Sequence, residues 1–371
     1  MKTGKIAIMT GVDQPFEIRE YPVTEPQSGM AQMGLIASGI CGTDVHIHRG
    51  KIPVGLPAGI GHEFVGKVLS IHDEDSKQSG ITVGTNVIVD IACPCGECVL
   101  CEHGDDANCL HMGVTNGGNP DVAPHFYGGY GEYNYSPVAN LIPIPDSLDP
   151  VMTCVFACAG PTATHAFELA KKAGENLSDV KVAVVQGLGP VGCYAVMYLA
   201  ALGIPNVVAV VADHNKERIA LAKELGATHV FFLLEQDADS VTAAIRDLNN
   251  GIGADLVFEA SGAPVAVPQG LAMLRNRGVY LIPGQYSNSG GIEIQPQMIT
   301  FNALHIIGSS QYSVCDVKKY LQFLLDNPQL HAPIAKMANQ YTIDQINEAF
   351  DDAKARTNIK TMLVAQSVQN S

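Results

Sequence analysis

The stretch Val182-Ala183-Val184-Val185-Gln186-Gly187-Leu188-Gly189-Pro190-Val191-Gly192 decides the fold. Its first half completes an apolar, β-branched run over 180–186 that reads as a buried strand, and its second half is G-x-G-x-x-G opening a helix over 191–202. Each glycine has a physical task. Gly187 permits a tight turn, Gly189 lets a pyrophosphate approach the backbone, and Gly192 lets helix and strand pack closely. The helix opens at Val191, directly after Pro190, and its N-terminal partial charge attracts phosphate. The pattern predicts a dinucleotide site.

Working outward, residues 206–212 form a second apolar strand that ends at Asp213. A carboxylate there would hydrogen-bond the adenosine ribose and repel a 2′-phosphate, which favours NAD over NADP. The plainer reading is a cap on the helix that follows. Helical patterns at 216–225, 240–248 and 265–274 then alternate with strand patterns at 229–234, 255–260 and 278–283. Such alternation predicts an α/β unit, a doubly wound parallel sheet with helices on both faces. Residues 182–212 carry no charge and are long enough to cross a bilayer. Gly187-Leu188-Gly189-Pro190 and Gly203-Ile204-Pro205-Asn206 break the run, so it reads as strand, helix, strand.

Residues 1 to about 150 have a different grammar: Gly, Pro and Val, short alternating runs such as 65–68 and 86–89, and frequent turns. This predicts a β-rich domain. From about 312 a helix over 317–326 and an amphipathic stretch at 343–353 are expected to fold back onto it. The expected division is 1–159, 160–310 and 311–371.

Over 371 residues, 47% are apolar and 16% charged, enough for two cores. Lys and Arg number 22 against 37 Asp and Glu, a net charge of −15 with no basic run. That balance excludes nucleic acid and an anionic membrane surface as main partners. Lys2 and Lys5 precede no apolar core of a secretory signal, so a cytoplasmic protein is expected.

Ten cysteines in a reducing compartment point to metal before disulfides. Cys95, Cys98, Cys101 and Cys109 form C-x2-C-x2-C-x7-C in one loop, and four thiolates so placed can close a tetrahedral structural zinc site, with an iron–sulfur cluster as the lesser alternative. Glu97, Glu102, Asp105 and Asp106 in that loop exclude a DNA-binding zinc ribbon. Cys93 reads as a bystander. Elsewhere Cys41-Gly42-Thr43-Asp44-Val45-His46 and Gly61-His62-Glu63 hold thiol, imidazole and carboxylate groups, and Cys158 stands at the domain junction. Spacing alone does not bring these together.

Taken in order, these motifs resemble the zinc-dependent medium-chain alcohol dehydrogenase family over nearly the whole chain. The resemblance implies a β-rich GroES-like catalytic domain, then a Rossmann domain, then a C-terminal return, with the active site in the cleft between domains. It implies that Cys41, His62 and Cys158 bind a catalytic zinc. Cys158 matches the third ligand because it stands seven residues before His165-Ala166; Cys154 is the competing candidate. Glu63 would neighbour the metal and serve as an alternate ligand. Thr43 matches the hydroxyl that takes a proton from the alcohol, and His46 the imidazole that passes it to solvent. Thr162 matches a residue near the nicotinamide and Arg218 one near the adenosine.

The implied activity is hydride transfer between a primary or secondary alcohol, or its aldehyde or ketone, and NAD(H), with two zinc ions per chain. Cys158-Ala159-Gly160-Pro161 departs from the Glu-Pro of many polyol dehydrogenases, which makes a polyol or sugar the second choice. A non-catalytic dinucleotide-binding relative is the remaining alternative. Residues 278–283 and 303–308 leave an apolar sheet edge that relatives pair between subunits, so a homodimer or homotetramer is expected.

Overall fold

The computed structural model describes residues 2–212 and 216–366; Asp213 lies outside the described residues. The chain forms two compact units, one of Met1–Cys158 with Gln311–Ser371 and one of Ala159–Ser310.

The first unit is β-rich. Its organising strand is Met30–Gly39, which pairs antiparallel with Glu63–Ile71 along most of its length. Tyr133–Pro137 joins the start of this strand and Lys360–Val364 joins its end. The seven-stranded sheet runs on through Asn86–Val89 to Leu141–Pro143, and on the other side from Lys360–Val364 to Ala338–Tyr341. Ala31, Met33, Phe64, Val68, Val87 and Leu141 share one core because alternation sends them to the same face. The tail thus returns as two strands of this sheet.

The tail also supplies the helix Ile346–Ala355, whose Ile346, Ala349 and Phe350 pack in one cluster with Val45 and Ile47 of the helix Gly42–His48. Burying Phe350 to 1% exposure contributes about 2–3 kcal/mol. The β-rich reading overlooked short helices here, among them Gly42–His48 and Asp73–Ser79. The second buries no residue and stops at Gly80, at φ 73°, so it leaves no apolar period in the sequence.

The second unit is a six-stranded parallel sheet. Across it lie His229–Phe232, Asn206–Val211, Val182–Gln186, Ala254–Glu259, Leu274–Ile282 and His305–Gly308. In chain order that is third, second, first, fourth, fifth, sixth, the doubly wound arrangement expected from the alternation. The order reverses direction beside Val182–Gln186, which places a crevice at the carboxyl end of that strand. Val182–Gln186 and Ala254–Glu259 are buried throughout. The helix Pro190–Ala201 buries Gly192, Cys193, Tyr194, Ala195, Val196, Met197 and Leu199, which is why it is apolar on nearly every side.

Several boundaries differ from the sequence reading, among them the starts of two strands of this sheet. Leu177–Asp179 is a 3-10 turn, so the first strand begins at Val182. Leu274–Ile282 begins four residues before the expected 278, because the polar Arg275, Asn276 and Arg277 sit at a break in its pairing with Ala254–Glu259. Among the described residues no helix is long and apolar enough to cross a membrane.

Candidate metal centres and dinucleotide turn

Cys41 is the N-cap of the helix Gly42–His48, and a capping box holds it there. The Asp44 carboxylate accepts the Cys41 backbone N–H at 2.9 Å and, through its other oxygen, meets His62 Nδ1 at 3.0 Å. Asp44 is fully buried, so this carboxylate orients the ring and leaves Nε2 available to a metal. His62 lies just before Glu63–Ile71, and Cys158 closes the first segment of the unit.

One ligand atom from each of Cys41, His62, Glu63 and Cys158 lies within 4.8 Å of every other. Hydrogen bonding to Cys158 drives the Cys41 thiol well below its ordinary range, while Cys41 and burial drive Cys158 well above its own. Two half-buried thiols set against each other beside an oriented imidazole form a donor set suited to a dication such as zinc. The residues fit the metal.

Cys154, the competing candidate, is placed differently. Its Sγ donates to the Glu63 carbonyl at 3.3 Å and burial pushes its thiol up. It belongs to neither donor group.

Glu63 forms an ion pair with Lys360, and both side chains are 1% exposed. Lys360 opens the strand Lys360–Val364, far from Glu63 in sequence. Although burial opposes its charge, the facing Glu63 carboxylate holds the ammonium protonated. A Cβ at Gly39 would stand 1.8 Å from Glu63 Oε2, so only glycine leaves room for the pair. The other Glu63 oxygen, Oε1, is buried without a hydrogen-bond partner among the described residues.

Thr43 and His46 are both half-buried on Gly42–His48, three residues apart and so on neighbouring positions of one face. Thr43 Oγ1 is 3.8 Å from Cys41 Sγ. Partial burial, then Lys51, lowers the His46 pKa and keeps its ring neutral.

The second donor group is Cys95, Cys98, Cys101 and Cys109. Sγ separations of 3.5 Å for Cys98–Cys101, 3.9 Å for Cys98–Cys109 and 3.5 Å for Cys109–Cys95 approach the edge of a zinc tetrathiolate, about 3.8 Å for Zn–S bonds of about 2.3 Å. Backbone N–H groups of Cys101 and Leu110 hold the Cys98 thiol down at about 6. Cys93 points instead toward Asn140 Oδ1 at 3.6 Å.

In the second unit Gly187 has φ 92°, and a Cβ there would lie 2.8 Å from Ser261 Cα. Gly189 is the N-cap of the helix, Pro190 its first residue, and Val191 is half-buried behind it. A Cβ on Gly192 would stand 1.9 Å from the Gly187 carbonyl oxygen. Arg218 is buried on the helix Lys216–Glu224, and Thr162 is half-buried on Ala159–Lys172.

Sequence reasoning missed Glu259 and Lys360. Glu259 Oε1 accepts from Ser261 N at 2.8 Å, Ser261 Oγ at 2.6 Å and Gly262 N at 2.9 Å. It thereby fixes the turn that abuts Gly187. The signal in each case was a charge at the terminus of a mostly apolar strand, Glu259 ending Ala254–Glu259 and Lys360 opening Lys360–Val364.

Residues 28–146 match the alcohol dehydrogenase GroES-like domain, and residues 190–326 match the zinc-binding dehydrogenase family. The chain is 30% identical to an erythritol/L-threitol dehydrogenase from Mycolicibacterium smegmatis, over 74% of each chain. It is 28% identical to 5-exo-hydroxycamphor dehydrogenase from Pseudomonas putida, over 98% of this chain and 99% of that one. An alcohol dehydrogenase structure from Thermotoga maritima superposes with a TM-score of 0.89 at 24% identity, covering 98% of this chain and 100% of its own. The chain belongs to the zinc-type medium-chain alcohol dehydrogenase family. It is an oxidoreductase of that family.

Proposed function

We propose that the chain is an NAD-dependent zinc alcohol dehydrogenase, interconverting a primary or secondary alcohol and its aldehyde or ketone. The observation that carries this reading is the convergence of Cys41, His62 and Cys158, with Asp44 orienting the imidazole. In it, Cys41, His62 and Cys158 hold a catalytic zinc, Glu63 is an alternate ligand, and the four-cysteine loop holds a structural zinc.

When bound, the metal supplies a Lewis acid that makes the substrate hydroxyl more acidic, and the dinucleotide supplies the hydride acceptor. The chain itself handles the proton. Thr43 takes it from the substrate oxygen and His46, neutral and half-buried, passes it to solvent. Gly187, Gly189 and Gly192, with Pro190 and Val191, cradle the pyrophosphate at the helix N-terminus. Asp213 binds the adenosine ribose, with Arg218 near the adenosine and Thr162 near the nicotinamide.

The name of the Mycolicibacterium smegmatis relative supports a polyol as the second reading. An absorbance assay at the reduced-nicotinamide band, run with simple alcohols and polyols against NAD and NADP, tests both. Turnover with NAD and a simple alcohol is expected. Polyol-only turnover favours the second reading, and a preference for NADP overturns the Asp213 assignment. Asp213→Ala is expected to weaken NAD binding and relax selectivity toward NADP, because it removes the ribose contact and the repulsion together.

A further inference from the structure

Tyr130 is fully buried in the loop before the strand Tyr133–Pro137. Its backbone N–H donates to the Ile60 carbonyl at 3.3 Å, and its own carbonyl accepts from Ala7 N at 2.8 Å. Phe16 and Phe350 meet its ring edge-on, with centroids 6.0 and 6.4 Å away. Gly61, the neighbour of His62, has φ 95°, and a Cβ there would stand 2.8 Å from the Tyr130 ring carbons. The ring is therefore gripped on several sides.

A phenylalanine would satisfy every one of these contacts. The hydroxyl needs its own explanation. It is buried with no acceptor in full hydrogen-bond geometry among the described residues, and the Asp44 carboxylate is the acceptor that stands beside it. Its leading polar neighbour is the Asp44 carboxylate, with Glu63 and Cys41 next, and burial among them keeps the phenol protonated. Toward the Asp44 carboxylate it can only donate, and a buried donor without an acceptor is destabilising. Asp44, fully buried, already takes Cys41 N and His62 Nδ1 and has lone pairs to spare.

We propose that Tyr130 is a positioning residue of the Cys41–His62–Cys158 centre: its hydroxyl donates to Asp44, and Asp44 thereby fixes both the His62 ring and the first turn of Gly42–His48. This rests on the metal reading given above. Outer partners of a ligating histidine typically alter metal affinity 10- to 100-fold.

The test is zinc release from the holoenzyme into a chromophoric chelator. It compares wild type, Cys41→Ser, Tyr130→Phe, Asp44→Asn and the Tyr130→Phe/Asp44→Asn double variant, with thermal unfolding of the metal-free proteins alongside. Tyr130→Phe is expected to speed loss of the Cys41-dependent zinc about tenfold, with no further acceleration in the Asp44→Asn background. Metal-free unfolding should move little. Release at the wild-type rate, or the same tenfold effect without Asp44, overturns the proposal and leaves the metal centre standing. If the zinc released by wild type does not depend on Cys41, the metal reading fails and the proposal with it. Should Asp44→Asn not fold, the visible bands of the cobalt-substituted enzyme decide. A shift in Tyr130→Phe supports the proposal, and unchanged bands overturn it.

Discussion

The proton route rests on two side chains of one short helix. Burial and nearby cations lower the His46 pKa, so the ring stays a neutral base at and somewhat below its ordinary value of about 6.5. His46→Gln is therefore expected to slow alcohol oxidation about tenfold between pH 6 and 7, and far less above pH 9, where hydroxide substitutes. A pH–rate profile identical to wild type would remove His46 from the route. The same depression links to stability: the neutral ring is favoured when folded, so its contribution is full above about 6.5 and fades as pH falls through the lowered value. At this scale the sequence was informative only in part. Cys41, His62 and the four-cysteine loop were readable because their neighbours form motifs. Lys360 and Tyr130 were not, because each meets the site only through a strand or loop far away in the chain.

Elements convert these residues into geometry, and glycines set the tolerances. Gly192→Ala would place a methyl group 1.9 Å from the Gly187 carbonyl, so strand and helix must part. The expected cost is about 1–3 kcal/mol of stability and at least tenfold weaker NAD binding, read by denaturant unfolding and fluorescence titration. Unchanged affinity would show that the turn does not hold the dinucleotide. The four-cysteine loop has little core of its own: of residues 95–109 only Cys98, Ala107 and Cys109 are buried. Cys98→Ser, or stripping zinc from that site, should expose residues 93–114 to protease while the parallel sheet of the second unit stays intact. Limited proteolysis read by mass spectrometry checks this, and equal resistance with and without zinc would contradict it. The strand–helix alternation of the second unit was legible because its strands and helices are long and periodic. Asp73–Ser79 and the Lys360–Val364 return were not, the first being wholly exposed and the second fixed by pairing with Met30–Gly39.

At the scale of the whole molecule, one edge of the parallel sheet invites a partner. His305–Gly308 is the outermost strand beside Leu274–Ile282, and Ile306 is 40% exposed on it. An apolar outer strand with free ladder groups is commonly covered by a second copy. A homodimer or homotetramer is expected, and Ile306→Glu should shift sedimentation toward the 39.3 kDa chain with the fold intact by circular dichroism. A wild-type protein that sediments only at that mass at micromolar concentration would contradict the interface.

In the proposed function Cys41, His62 and Cys158 together hold the metal that makes this chain a dehydrogenase. Zinc counted per chain by elemental mass spectrometry, with NAD-linked turnover measured on the same samples, tests it most directly. Wild type should carry about two zinc ions, and Cys158→Ala about one with turnover abolished, while Cys154→Ala resembles wild type. A Cys158→Ala protein with full zinc and full turnover, beside a Cys154→Ala protein that has lost both, would contradict it.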